Sequence, residues 1–138
     1  AMGSAIGSFE KTKGIIIPRD RFAPVKKCED YLIRRSDAYI LNKDYSLTMN
    51  PVRKKMNLSE NIVVLDDKYY KKMKDFEKLF QVYPSLVSSK SFKVQGEVEF
   101  DKAVTLKGDV TIINGTGRIR KISEFAKNEF SDEVVTFQ

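Results

Sequence analysis

The sequence predicts a mainly β protein, because an apolar pattern recurs every six residues between Phe92 and Ile113. A large apolar residue holds the first place of each unit, and Val or Thr holds the fifth. The fifth place of one unit and the first place of the next lie two residues apart, so both side chains face one side of a short strand. The predicted core is therefore made of two stripes, Val98, Val104 and Val110 with Phe100, Leu106 and Ile112. The residues predicted to point outward are Glu99, Thr105 and Thr111.

Three-residue corners, Asp101–Ala103 and Lys107–Asp109, separate the predicted strands at a fixed spacing. A fixed spacing of this kind is typical of a parallel β-helix built from hexapeptide repeats. A β-meander with three-residue hairpin loops also fits the alternation. Strands this short make poor hairpins, and this favours the β-helix, although the residues alone do not fix its hand.

Composition limits the possible functions. The chain has 138 residues, of which 41% are apolar, enough for one modest domain or two small packed pieces. A single cysteine, Cys28, excludes an internal disulfide, and the absence of His excludes the usual zinc sites and His-based acid–base chemistry. No apolar run is long enough for a membrane span and no secretory leader is visible, so we expect a cytoplasmic protein without a membrane partner.

The charge balance predicts a basic surface. The net charge is +6, but 25 Lys and Arg are interspersed with 19 acidic residues. No helix-turn-helix, RRM or zinc pattern accompanies the charge, so we expect no nucleic-acid partner. A solvated basic surface with a local phosphate site is the favoured interpretation.

The elements before the repeats are predicted from spacing and flanking residues. Ala5–Phe9 has the spacing of a short helix face, and Gly14 follows it. The run Ile15–Ile17, flanked by Gly14 and Pro18, predicts a buried strand. A helix is predicted over Glu29–Leu41 from its charge distribution and apolar stripe. The polar stretch Asn42–Asn61 is predicted to be a long surface loop.

The connector and the end of the chain are also patterned. Asp66 and Asp67 offer an N-cap to an amphipathic helix that reaches Phe80, whose apolar face is predicted to pack on the first repeats. The segment Gly115–Gly117 is interpreted as a turn, because a third glycine and a following helix are missing. Val134–Phe137 predicts one more strand.

The most unusual local sequence is Pro18–Lys27, with two prolines and four cations in ten residues. Pro24 forces the preceding residue toward extended geometry, so the segment is predicted to be a fixed, non-helical loop that presents Lys26. A lysine held in this way suits a phosphate, and Arg19 and Arg21 suit a phosphate or a carboxylate. The alternative is a solvated basic loop, and spacing alone does not decide between the two.

Several separate motifs, in order, resemble one family, the UTP–glucose-1-phosphate uridylyltransferases, also called UDP-glucose pyrophosphorylases. The resemblance spans about Ala5 to Arg120. Its motifs are Ala5-Ile6-x-x-Phe9-Glu10, Gly14-Ile15, Pro18-Arg19-x-Arg21-Phe22-x-Pro24-Val25-Lys26, Asp30-x-Leu32, Ser36-Asp37-x-Tyr39-x-Leu41, Lys93-Val94-x-Gly96-x-Val98-x-Phe100 and Val104-x-Leu106-Lys107-Gly108-x-Val110-x-Ile112.

The resemblance implies a mainly β fold with helices. A short left-handed parallel β-helix of hexapeptide repeats would follow a helical connector and a remnant of an α/β nucleotidyltransferase domain. The implied division is a cloning remnant at 1–4, the tail of the catalytic domain at 5–45, a loop and amphipathic connector helix at 46–85, and a C-terminal β-helix domain at 86–138.

The resemblance also implies a chemistry. In the family, the lysine matching Lys26 reaches the substrate phosphates and has a catalytic role, and here Arg19 and Arg21 are further candidate substrate ligands. The implied substrates are UTP and glucose 1-phosphate. Mg²⁺ is the implied cofactor of the parent enzyme, with none expected on this part alone. The implied partner is a second copy, bound through the β-helix.

The sequence also departs from the family. Lys27–Glu29 stands where small hydroxyl residues are usual, and the end beyond Arg120 follows the family poorly. The glycine-rich nucleotide loop is absent, so we expect the chain to be an inactive fragment of a longer enzyme. A stand-alone assembly module is the alternative. A hexapeptide acyltransferase remnant is disfavoured, because such enzymes commonly need a catalytic His.

Overall fold

The computed structural model describes residues 2–18 and 21–138, so the predicted ligand Arg19 lies outside the described residues. The α-helices are α1 (Cys28–Arg35), α2 (Pro51–Lys55), α3 (Asp67–Tyr70) and α4 (Met73–Leu79), and 3-10 turns cover Met2–Ser8 and Ile122–Glu124. The strands are β1 (Tyr39–Leu41), β2 (Leu47–Met49), β3 (Ile62–Leu65), β4 (Ser85–Gln95), β5 (Val98–Glu99), β6 (Thr105–Asn114), β7 (Arg120–Lys121) and β8 (Glu129–Phe137).

The main sheet has four parallel strands in the order β3-β4-β6-β8. Strands β5 and β7 form a parallel pair, and β1 and β2 form an antiparallel hairpin. In the main sheet Phe92 pairs with Val110 and Val94 with Ile112, while Ile112 pairs on its other side with Val135. Paired residues of parallel strands point to the same face, so this register stacks apolar side chains from strand to strand.

The predicted left-handed parallel β-helix is wrong. Strand β6 runs through the predicted corner Lys107–Asp109 without ending there. Gly108 has a φ of +61°, and a Cβ on it would lie 1.9 Å from an Asp132 carboxylate oxygen. That oxygen accepts a hydrogen bond of 2.9 Å from the Asp109 amide, so the strand passes the position as an irregularity in register. The β-meander is also wrong, because the main sheet is parallel.

The predicted core stripes are confirmed, because all six of their residues are buried. Phe100 stacks on Phe80 with 4.5 Å between ring centroids, and Phe92 meets Phe100 edge-on at 5.8 Å. The prediction that Glu99 points outward is wrong, since it is 8% exposed. Its carboxylate accepts a hydrogen bond of 2.7 Å from the Gln81 amide and lies 3.5 Å from the Lys121 ammonium.

The predicted strand at Ile15–Ile17 is wrong. These residues have no regular structure, and Ile16 is 94% exposed. An apolar run becomes a strand only where another strand satisfies its backbone groups, and no described strand pairs with it. The short helix expected at Ala5–Phe9 is present as the 3-10 turn Met2–Ser8.

The helix predicted over Glu29–Leu41 is too long, because α1 ends at Arg35 and β1 begins at Tyr39. Ser36 ends the helix, since its hydroxyl donates to the Ile33 carbonyl at 2.8 Å and accepts from the Ala38 amide at 3.3 Å. A serine that bonds the backbone in this way competes with helix continuation.

The long surface loop predicted at Asn42–Asn61 is also wrong. It contains β2 and α2, and the guanidinium of Arg53 in α2 is buried. Arg53 donates to the carbonyls of Ser59, Leu86, Val87 and Ser89. Three of these carbonyls lie in β4, where the pairing with β6 is irregular, so Arg53 binds α2 to the distorted part of β4.

The connector helix is interrupted. Asp66 caps α3 as predicted, accepting a hydrogen bond of 3.1 Å from the Lys68 amide. The helix breaks at Lys71 and Lys72, and α4 begins at Met73. Its apolar face packs on the sheet through Phe76 and Phe80. The predicted turn at Gly115–Gly117 and the predicted C-terminal strand, within β8, are both confirmed.

Candidate functional site

The loop that carries Lys26 is non-helical, as predicted, and leads directly into α1. The Asp30 carboxylate accepts hydrogen bonds from the backbone amides of Lys26 and Lys27, at 2.9 and 3.0 Å. Asp30 lies in the first turn of α1, so these bonds attach the loop to the helix. The Lys26 side chain is exposed. The exposed ammonium of Lys26 therefore lies on a loop whose backbone is fixed by two hydrogen bonds to Asp30.

Lys26 lies between two grooves. The first, which we call the β3 groove, is lined by Pro24, Lys26, α1 and the segment from Glu60 to Val63, and has a volume of about 520 Å³. The second, which we call the lysine groove, is lined by Lys26, Lys27, Cys28, Glu29, Asp67 and Lys71, and has a volume of about 420 Å³. Lys26 and Glu29 line both grooves, so the lysine can serve either of them.

The β3 groove contains a polar network around Arg34. The guanidinium lies 2.5 Å from the Glu60 carboxylate and 4.4 Å from the centre of the Tyr39 ring. Asn61 is buried and donates to the carbonyls of Leu86 and Ser89 at 2.9 and 2.8 Å.

Two buried polar atoms in the β3 groove have no hydrogen-bond partner among the described residues. They are the Nε of Arg34 and the Oδ1 of Asn61. A buried polar atom without a partner costs about 1–3 kcal/mol. One donor and one acceptor are therefore left unsatisfied in residues that line this groove.

The lysine groove lies where α1 meets the break between α3 and α4. The Cys28 thiol donates to the Lys71 carbonyl at 3.7 Å, and this contact joins the two elements. Burial, with a smaller effect from the nearby Glu29 carboxylate, raises the pKa of the Cys28 thiol. The thiol is therefore an inert packing group here. The charged side chains that line the groove are Lys26, Lys27, Glu29, Asp67 and Lys71.

The two predicted cations that the structure describes, Arg21 and Lys26, lie in different places. Arg21 lies beside the β1–β2 hairpin, where its guanidinium is 3.6 Å from the Asp44 carboxylate, and both side chains are exposed. This pair is the carboxylate alternative foreseen for Arg21. Hydrogen bonding to Ser46, with a smaller effect from Arg21, lowers the pKa of Asp44. Lys26 lies instead at the start of α1, and Arg19 is not described.

Sequence reasoning missed Lys71. The pattern of the connector predicts only that its apolar face packs on the core, and it assigns no role to the lysines. The pair Lys71–Lys72, at which the helix breaks, was the available signal. Only the packing of Cys28 on Lys71, 43 residues later in the chain, brings this lysine to the Lys26 loop.

Two tests for other functions were negative within the described ranges. Among residues 2–18 and 21–138, no three or more His, Cys, Asp or Glu side chains are grouped so as to hold a metal ion. No helix in the same ranges has both the length and the apolar character needed to cross a bilayer.

Comparison with known proteins identifies relatives of the whole chain. The family model for UTP–glucose-1-phosphate uridylyltransferase matches residues 1–107. The chain is 40% identical, over 132 residues, to the enzyme of that name from Hordeum vulgare, and this match covers 96% of the chain and 27% of the relative. The match to the Solanum tuberosum enzyme is 38% identical over 117 residues, covering 85% of the chain and 24% of the relative. The chain thus spans about a quarter of these relatives.

Solved structures of similar enzymes also match nearly the whole chain. A variant of the UDP-glucose pyrophosphorylase of Leishmania major, in complex with UDP-Glc, matches with a TM-score of 0.78 at 39% identity, covering 99% of this chain and 28% of that one. The UDP-glucose phosphorylase of Trypanosoma brucei matches with a TM-score of 0.78 at 36% identity and the same coverage. The resemblance noted from the sequence motifs is therefore confirmed.

Proposed function

The chain belongs to the UTP–glucose-1-phosphate uridylyltransferase family, and we propose that it is the C-terminal part of an enzyme that makes UDP-glucose and pyrophosphate from UTP and glucose 1-phosphate. The observation that carries this proposal is the similarity of nearly the whole chain to such enzymes, at 40% identity over 96% of the chain for the Hordeum vulgare enzyme. The chain spans about a quarter of its relatives, so the complete reaction is proposed for the longer parent. We expect the chain alone to be inactive, and the parent to be cytoplasmic.

The proposed reaction is an in-line displacement at phosphorus. A phosphate oxygen of glucose 1-phosphate attacks the α-phosphorus of UTP and forms a new P–O bond. The bond from the α-phosphorus to the bridging oxygen breaks, and pyrophosphate leaves with that electron pair. Negative charge develops on the transferring group and on the leaving group, and fixed cations stabilise it.

Lys26 is the residue we propose for this electrostatic role. It is exposed at the edge of both grooves, and its backbone is held by Asp30. A positioned ammonium interacts with a phosphoryl oxygen as a point charge and hydrogen-bond donor. Arg19 and Arg21 remain candidate substrate ligands; of these, Arg21 would first have to leave its exposed pair with Asp44, a pair of little energetic value.

Mg²⁺ is the cofactor implied for the parent by its family. Within residues 2–18 and 21–138 no group of three or more carboxylate, His or Cys side chains fits a metal ion. We therefore assign no Mg²⁺ ligand to these residues and derive no step through the ion.

The proposal is tested in the full-length parent with Lys26→Ala. We expect kcat for UDP-glucose formation to fall by about 10²-fold or more, because one charge-stabilising donor of the transition state is lost. The matched control is Lys90→Ala, which removes an exposed lysine of β4. Both variants should keep the parental thermal unfolding midpoint. Parental turnover in Lys26→Ala would remove this lysine from the mechanism.

A second candidate role is self-association through the sheet. Strands β3 and β8 each pair with only one neighbour within the described residues. Val134 on β8 is 68% exposed, and unpaired edges of this kind are templates for pairing with another chain. We expect sedimentation velocity to show a concentration-dependent dimer or larger assembly. A strict monomer at all concentrations would contradict this role.

A further inference from the structure

Helix α1 is attached to other parts of the chain by an aspartate at each end. Asp30, in its first turn, accepts hydrogen bonds from the backbone amides of Lys26 and Lys27. Asp37 follows shortly after the last residue of α1, and its carboxylate binds the beginning of β4. The helix has eight residues, so it is only about 12 Å long. A short helix therefore connects the Lys26 loop to the main sheet.

The Asp37 carboxylate accepts three hydrogen bonds from β4. One of its oxygens accepts from the backbone amides of Leu86 and Val87, at 2.7 and 3.0 Å. The other accepts from the Ser85 hydroxyl at 2.5 Å. Bonds to an ionised acceptor are stronger than bonds between neutral groups, and three of them converge here on one side chain. Asp37 therefore attaches the end of α1 firmly to the start of β4.

Strand β4 is bulged where Asp37 binds it. From Ser85 to Ser88, three steps of β4 lie opposite two steps of β6 in the register of the sheet. Consecutive amides of a regular strand point in opposite directions, whereas those of a bulge can converge on one acceptor. On the carbonyl side, the buried Arg53 guanidinium donates to Leu86 and Val87, at 3.1 and 3.2 Å. The same two peptide units are therefore held on both sides, and the bulge is a fixed anchor for α1.

Hydrogen bonds and apolar packing fix different properties of α1. The buried face of the helix consists of Cys28, Leu32 and Ile33. Apolar contacts of this kind are non-directional, so they hold the helix against the core without fixing its tilt. Hydrogen bonds depend on both distance and angle. The bonds of Asp37 therefore fix where α1 ends on the sheet, and the helix transmits that position to Asp30 and the Lys26 loop.

We propose that Asp37 is a positioning residue for uridylyl transfer, which holds α1 on the β4 bulge and thereby places the Lys26 ammonium for the reaction. Asp37 touches no substrate in this role. The inference rests on the proposed function, because Asp37 acts through Lys26. A misplacement of about 1 Å in an active site can lower the rate by about 10²-fold. Loss of the attachment should therefore be visible in turnover.

The experiment measures kcat and KM of the full-length parent with Asp37→Ala. We expect kcat and kcat/KM to fall together, by about 10-fold or more, because a displaced Lys26 loses an interaction made in the transition state. Asp37→Asn keeps an oxygen acceptor for the amides of Leu86 and Val87, and its own amide can donate to the Ser85 hydroxyl. We therefore expect Asp37→Asn to restore parental turnover. Parental kcat in Asp37→Ala would overturn the positioning role.

The matched control is Asp101→Ala, which removes a carboxylate with similar bonds outside α1 and β4. Asp101 accepts from the backbone amide and the hydroxyl of Ser123, at 3.0 and 2.6 Å. We expect it to lower the thermal unfolding midpoint much as Asp37→Ala does, and to keep parental kcat at a temperature where circular dichroism shows both variants folded. Equal loss of kcat in the two variants would overturn the positioning role, because a general loss of stability would then explain it.

A double variant, Lys26→Ala with Asp37→Ala, separates this inference from the proposed function. If Asp37 acts through Lys26, the double variant should be no slower than Lys26→Ala alone, because residues that act as a unit are not additive. Two losses that multiply would overturn the positioning role. Reduced turnover in Lys26→Ala with parental turnover in Asp37→Ala would keep the proposed function and refute the positioning role. Parental turnover in Lys26→Ala would refute both.

Discussion

The two ends of this chain use the same kinds of apolar residue with opposite results. In β6, Leu106, Val110 and Ile112 are buried. Near the N-terminus, Ile15, Ile16 and Ile17 are 86, 94 and 62% exposed. Both runs contain β-branched residues, which favour strands. What differs is the neighbourhood, because β6 has a paired strand on each side and Ile15–Ile17 has none among the described strands.

Burial in this chain is decided by long-range partners more than by the local character of a run. A strand in the sheet gains backbone hydrogen bonds and apolar contacts together, so both benefits favour the same conformation. An isolated apolar run gains neither. Substitutions in the two regions should therefore differ in cost even when the chemical change is similar.

The largest expected effect is that of Phe100→Ala. The ring is fully buried between Phe80 and Phe92, and its removal leaves a cavity in the sheet core. We expect the free energy of unfolding to fall by about 3–5 kcal/mol, the usual cost of truncating a buried Phe. Urea denaturation followed by circular dichroism measures this change.

Ile16→Ala is the matched variant in the other region. It removes an apolar side chain that is 94% exposed, so we expect a change of less than about 0.5 kcal/mol in the free energy of unfolding. Similar losses for the two variants would contradict the comparison, because they would mean that Ile16 is buried in solution.

Parts of the fold were predictable because they depend on local periodicity. The alternation of Val110 and Ile112 fixes which residues face the core, whichever strands lie beside them. The path of the chain was not predictable in the same way. A continuous β6 depends on Gly108 accommodating the Asp132 carboxylate, which arrives from a strand far along the chain. The six-residue period contains no information about that contact.

The candidate site was predictable to a similar extent. The prolines of the Pro18–Lys27 segment predicted a non-helical loop, and the structure describes one over the residues from Phe22 to Lys27. The roles of Lys26, Arg19 and Arg21 stay predictions. The groove beside Lys26 was not predictable, because Lys71 reaches it only through tertiary packing on Cys28. A contact between two distant segments produces no regular spacing of residues in the sequence, so it cannot be predicted from a pattern.

Arg53 is the opposite case, a charged residue that is buried. The sequence places it in a basic cluster, Arg53–Lys55, typical of a solvated face. In the structure Arg53 is 1% exposed, and its guanidinium donates to four backbone carbonyls. Burial lowers the pKa of Arg53. The irregular part of β4 provides three of these carbonyls. No local sequence pattern predicts that irregularity.

The second, smaller effect is that of Arg53→Ala. The variant removes the guanidinium from four carbonyls, of which those of Leu86 and Ser89 keep the Asn61 amide as donor. It also removes a buried side chain, and we expect the free energy of unfolding to fall by about 2–3 kcal/mol. Lys54→Ala is the control, because the neighbouring Lys54 is exposed, and we expect it to change stability by less than about 0.5 kcal/mol. Hydrogen exchange should show faster exchange of the β4 amides near Ser88 in Arg53→Ala than in Lys54→Ala. Equal stability of the two variants would mean that water replaces the guanidinium at no cost, and that Arg53 belongs with the solvated cations of α2.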